Sequence, residues 1–367
     1  MNSRIITLLI TLIMTAMPQY LQAGAKVSGD VLVSGEVSAV SFSGNGTELT
    51  NIPGSAITDT SITVNHLANS AVTADKLADA AVTPGKIAFL GKLAIVAPTG
   101  GDYANPATAM GDYANWCGTP SATNTCLLKI MPGTYNIGTT AVQMQNYIDI
   151  EGSGENTTVI TGNVDSSTSG VVNGASNTEL RYITIKNTGG GIAATAIYNS
   201  GTSIKVTNVT ATASGATSNF GIMNVSSTTR ILNATVTASG GNNTYAVMNH
   251  SSTSATLINV TATASGGILI NMGVYNHTAS ATLFNVTATG TGGSTFGAGV
   301  NNYTGATPCT VKIDHSKVKG STFSVAGVAN FTTLVSSSEF GGGSISGPVT
   351  CAGVYNASYT FYPNYCP

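Results

Sequence analysis

The segments "AVMNHSSTSATLINVTATASGG" and "GVYNHTASATLFNVTATGTGG" are two statements of one repeat. With Asn as the anchor, the wording recurs at Asn173, Asn199, Asn224, Asn249, Asn276, Asn302, Asn330 and Asn356, 25 to 28 residues apart. A unit this short cannot bury an apolar face by itself and must stack on its neighbours. The period therefore predicts a solenoid.

The residues inside one repeat select the kind of solenoid. Two residues before the anchors stand Ile197, Ile222, Val247, Val274, Val300, Val328 and Val354, the column expected if each repeat buries one β-branched side chain. The runs "IKVTNVTAT", "RILNATVT", "TLINVTAT" and "TLFNVTAT" alternate apolar and polar residues between Gly and Ser, which is a strand pattern. No 3.6-residue period appears. These features predict an all-β chain folded as a parallel β-helix with one coil per repeat. The anchor Asn is expected to take left-handed backbone at a bend and to bond to the coil above.

Residues 1–25 have a basic Arg4, an apolar stretch from Ile5 to about Met14 and small residues Ala23 and Ala25. That is the pattern of a cleavable secretory signal, and no later run is long enough to span a membrane. Export predicts an oxidising compartment for Cys117, Cys126, Cys309, Cys351 and Cys366. The sequence-near pairings are Cys117 with Cys126 and Cys351 with Cys366, each stapling an end of the solenoid. This leaves Cys309 as a buried thiol, although a Cys309–Cys351 pairing also fits. With 8% charged residues and a formal net charge of -2, the chain lacks the basic face that nucleic acid requires.

Residues 26–92 read differently. Ile62, Val72 and Val82 recur every ten residues, and "FSGNGTELTNIPGSAIT" and "AVTADKLADAAVTPGKIA" resemble the stalk segments of phage tail fibres and some bacterial surface proteins. The resemblance implies an extended spacer and a homotrimer; the residues alone also fit a flexible linker. Residues 93–140 are expected to form an N-terminal cap and first coil, with Asn105 as N-cap and Pro106 opening a short helix. Residues 141–367 are expected to form the repeated coils and a C-terminal cap.

"IMPGTY" (Ile130 to Tyr135) and "IEGSGENTTVITG" (Ile150 to Gly162) resemble the opening coils of secreted right-handed parallel β-helix proteins of the pectin-lyase-like superfamily, pectin esterases among them. The resemblance implies a right-handed helix. The strand-borne Asp pair and the Arg-Pro-Trp motif of the esterases are missing, and the single Trp, Trp116, lies in the cap, so no catalytic residue carries over.

Acids are scarce: beyond Glu179 only Asp314 and Glu339 remain. One cluster keeps chemistry in view. Asp149 and Glu151 share a strand face, and Arg181, Lys205 and Arg230 recur on the next three coils, predicting a column of cations stacked at about 4.8 Å. It reads as a solvated column or as a saccharide- or anion-binding face. In "KIDHSKVKG", Lys317 and Lys319 share a face and His315 is expected to replace an anchor Asn. The residues after the anchors predict a stack of His250, His277, Tyr303 and Phe331, either a packing ladder or an outward stripe for sugar rings.

The expected function is that of a secreted or cell-surface protein with an adhesive or glycan-binding role, without catalysis, metal or cofactor. The alternative is a polysaccharide lyase or esterase with its site near Asp149, Glu151, Arg181, Lys205 and Arg230. The expected partner is a polysaccharide or cell-surface glycan.

Overall fold

The computed structural model describes residues 92–367 except 252 and 304–307. The predicted signal of residues 1–25 and the stalk of residues 26–92 lie outside it but for Lys92, which opens the first strand, Lys92–Val96. The described chain is an all-β right-handed parallel β-helix, the expected class. Successive coils pair strand on strand in parallel register; Lys205 lies beside Arg230, and Arg230 beside Thr256.

Each central coil carries three strand segments. In one coil the strand Ile204–Ser214 bends at Asn208, so that Ile204 to Thr207 belong to a first sheet and Val209 to Ser214 to a second. A turn at Gly215 leads to Ser218–Val225 in a third sheet, and Ser226 turns the chain back to the first. Alternation places Val206, Val209, Ala211, Ala213 and Ile222 inside, all fully buried. Gly215 is required: its φ is +92°, and a Cβ there would meet the Thr188 carbonyl oxygen at 2.1 Å.

The Asn anchors do not make the bend. Left-handed backbone belongs to a different Asn column, Asn208, Asn233, Asn259 and Asn285, at the corner between the first and second sheets. The anchors are extended strand residues pointing inward, fully buried at Asn199, Asn224, Asn249, Asn276 and Asn302. Their amides form one ladder. Each Nδ2 donates to the next Oδ1 at 2.8 Å from Asn199 to Asn302, and Asn302 Nδ2 donates to Thr333 Oγ1 at 2.9 Å. Stacking thus satisfies polar groups that a lone coil would have to bury unpaired.

The ladder has limits that the spelling hides. Asn173 pairs in register with Tyr198, so it stands one place off the column. Gly174 faces Asn199 instead and leaves the Asn199 Oδ1 without a partner. Asn330 lies exposed in a turn, and Asn356 bonds within a C-terminal hairpin, with its Oδ1 accepting from the Ser358 and Thr360 amides. The buried valine column shifts as well: Val300 pairs with Val325, not Val328. His315 takes the corner position after Asn285 rather than an anchor position.

Both ends are closed. Asn105 Oδ1 accepts from the Ala107 amide at 2.8 Å and caps the helix Pro106–Gly111, which buries Ala109 and Met110 against the first coil. Trp116 donates its indole N–H to the Ala109 carbonyl. At the other end Phe361–Tyr362 pairs antiparallel with Val354–Asn356, occupying an edge that would otherwise offer unpaired backbone. Cys117 is bonded to Cys126, and Cys351 to Cys366. Cys309 belongs to neither bridge and is buried, which pushes its thiol pKa up. Among the described residues no helix is long and apolar enough to cross a membrane.

Candidate functional site

The outer face of the first sheet carries two columns of side chains. One runs Asp149, Glu179, Lys205, Arg230, Thr256, Thr282, Lys312 and Leu334; the other runs Lys129, Glu151, Arg181, Thr207, Leu232, Ile258, Phe284 and Asp314. This corrects the expected single cation column. Arg181 stands beside Glu151, whereas Lys205 and Arg230 follow Glu179.

The first coils of this face form an ionic network. Arg181 reaches Glu151 through Nε and Asp149 through Nη1, each at 2.8 Å, and Glu179 at 3.3 Å. Lys129 pairs with Glu151 at 2.8 Å, and Lys205 with Glu179 at 2.9 Å. Asp149, Glu151 and Arg181 therefore converge, Lys205 joins through Glu179, and exposed Arg230 stands outside the network. Lys129 and Glu179 were missed in the sequence; their signal was the alternation in "CLLKI" and "TELRYITIKN".

Partial burial would raise the pKa of Glu151, but hydrogen bonds from Lys129 and Arg181 outweigh it and hold the carboxyl below its ordinary value. Glu179 is lowered in the same way, with burial opposed by bonds from Thr207 and Lys205. A general acid for neutral pH needs the opposite shift. These two carboxylates are ionised and paired at neutral pH. A folded-state pKa below the unfolded one contributes stability above the ordinary carboxylate range, and that contribution disappears as pH falls through the depressed values. Thermal unfolding followed from pH 7 to pH 2 should show a loss of stability below about pH 4, and the loss should be smaller in Glu151→Gln.

The last coils of the same face are different. A cleft of about 420 Å³ is lined by Thr282, Phe284, Lys312, Asp314, Leu334, Ser336 and Thr350, among others. Phe284 is 43% exposed and Leu334 39%. Asp314 Oδ1 accepts from Ser336 Oγ at 2.7 Å and from His315 Nδ1 at 2.9 Å. Burial would raise Asp314, and these bonds outweigh it and lower its pKa. The Ser336 hydroxyl therefore points to Asp314 and not to His315.

The predicted ring stack is partly formed. His250 and His277 stack at 4.6 Å, and His277 and Tyr303 at 5.5 Å. Phe331 leaves the stack: it is buried and lies opposite Cys309. His250 and His277 are half-buried, while Tyr303, which ends the stack, is 50% exposed. Burial, with the neighbouring His277, lowers the pKa of His250. Among the described residues no three His, Cys, Asp or Glu side chains gather as a metal-ligand set.

No family model matches the sequence, and no curated protein matches it. Solved structures resemble its shape. Pectate lyase Pel9A superposes with a TM-score of 0.47 at 12% identity, over 71% of this chain and 78% of that one. The ORF18 protein of Geobacillus virus E2 gives 0.44 at 10% identity over 72% of this chain, which spans 62% of the viral protein's length. Pectin methylesterase PemA from Erwinia chrysanthemi gives 0.36 at 11% identity, over 74% of this chain and 91% of the enzyme. These likenesses concern architecture alone. By its own strand registers, the chain is a parallel β-helix protein.

Proposed function

We propose that this chain is an exported, non-catalytic β-helix protein that binds glycan along the outer face of its first sheet, with the cleft at Phe284 as the principal contact. The cleft carries the proposal. It sets an exposed aromatic ring and an exposed Leu beside a cation, an anion and hydroxyls, the combination that takes the C–H face of a sugar while bonding its rim. The ion-paired acids in the first coils support a binding role, because Glu151 and Glu179 hold no proton to donate at neutral pH. Export is supported by the two disulfides, which suit an oxidising compartment. The stalk and its homotrimer are part of the same proposal: they place the helix at a distance from a surface and multiply its contacts.

A panel of acidic and neutral polysaccharides tests this reading. Phe284→Ala is expected to weaken binding roughly tenfold while leaving the melting temperature nearly unchanged, since the ring stands outside the core. Release of oligosaccharide or methanol that disappears in Asp149→Asn would establish the lyase or esterase alternative instead.

A further inference from the structure

A second cavity, of about 300 Å³, lies on the other side of the left-handed corner made by Asn285, His315 and Ser337. Its lining includes Lys317, Glu339 and Tyr355. Lys317 Nζ and Glu339 Oε1 are 2.8 Å apart; the Glu339 side chain is 15% exposed and that of Lys317 is 50% exposed. Tyr355 stacks on Tyr359, with centroids 5.9 Å apart and planes within 9°. Phe361 lies opposite Tyr355 in the antiparallel hairpin. Tyr359 is 81% exposed and Phe361 62%.

This hairpin is built to hold its rings out. Tyr359 has a φ of 60°, a left-handed conformation that Gly or Asn would take at lower cost, and its ring faces solvent. Asn356 fixes the turn by accepting from the Ser358 and Thr360 amides and donating to the Tyr362 hydroxyl. The Cys351–Cys366 bridge anchors the segment that follows. Rings held rigidly in water lose little freedom when a ligand covers them.

We propose that this cavity and the rings of Tyr355, Tyr359 and Phe361 form a second saccharide site, selective for a neutral pyranose. The exposed rings offer apolar faces to the C–H face of a sugar. Beside them the ion pair presents an acceptor at Glu339 and a donor at Lys317 within one hydrogen-bond length of each other. Neighbouring hydroxyls of a pyranose fit both, one donating to the carboxylate and one accepting from the ammonium. Because acid and base already neutralise each other, a sugar carboxylate finds no uncompensated cation in that pair and loses its own hydration on entry. His315, on the corner, is itself paired with Asp314. The site differs in location and chemistry from the first-sheet cleft and does not depend on it.

Calorimetric titration of the full-length protein tests the assignment, with neutral oligosaccharides of glucose, galactose, mannose and N-acetylglucosamine, and with hexagalacturonate as the acidic control. A neutral probe is expected to bind, and Tyr359→Ala and Glu339→Gln should each weaken it roughly tenfold. Tyr359→Ala should leave the melting temperature unchanged, and Phe284→Ala should leave this binding unchanged. The assignment is overturned if no neutral probe binds, if Tyr359→Ala binds as wild type, or if hexagalacturonate competes at this site. Binding lost only in Phe284→Ala would support the first-sheet site and remove this one.

Discussion

Val274→Asp is expected to cost about 3–5 kcal/mol, because it places an unpaired carboxylate where no group can neutralise it. Val274 is fully buried, and the residues beside it on neighbouring coils are Val247 and Val300, also fully buried. The carboxyl would have to protonate or force the stack apart. A loss of this size is a large fraction of the stability of an ordinary domain. Circular dichroism melting checks it: a large drop in the midpoint is expected, and a midpoint matching wild type would refute the inward column.

Asn249→Ala is expected to be nearly as damaging for a different reason. It removes no large apolar surface, but it strands the Asn224 Nδ2 donor and the Asn276 Oδ1 acceptor, both inside the stack. Each stranded group costs about 1–3 kcal/mol. Asn199→Ala should cost much less. It strands the Asn224 Oδ1 but also deletes the Asn199 Oδ1, which already lacks a partner, so the number of unsatisfied atoms does not rise. Urea denaturation of the two variants should separate them clearly. Equal midpoints would mean that the ladder contributes nothing beyond its own packing.

The same two columns show how far a repeat can be read. Ile197, Ile222, Val247, Val274 and Val300 were legible as a buried line because an inward strand position in a parallel stack requires the same kind of residue in every coil. Asn105 and Pro106 were legible as a helix start because capping is local. The function of the anchor Asn was only half legible. That amides would bond from coil to coil follows from their spacing. That a different Asn, in "NVTAT", makes the bend depends on which of two Asn per repeat falls at the corner.

The candidate site was legible as a set of residues but not as an arrangement. Asp149, Glu151 and Arg181 lie close together, yet Arg181 stands in the column of Glu151 while Lys205 stands in that of Glu179. A shift of two residues keeps a side chain on the same face but moves it to the other column. Of the cleft at Phe284 and the cavity at Tyr355 only "KIDHSKVKG" stood out in the sequence, with Lys312 and Asp314 lining the one and His315 and Lys317 the other, since each collects residues from three or more coils.

Sequence alone determined the class, because period, alternation and small interior residues are properties of one coil repeated, and stacking is the way such a coil buries its apolar side. Tertiary structure decided which coils are in step. On the first sheet Thr282 meets Lys312 after 30 residues, while on the third Val300 meets Val325 after 25. Extra residues are absorbed in turns at the corners, where backbone is exposed and insertion costs little. Each such insertion resets the register of everything outward, and that register selects the neighbours that make an ion pair, a cleft or a ring stack.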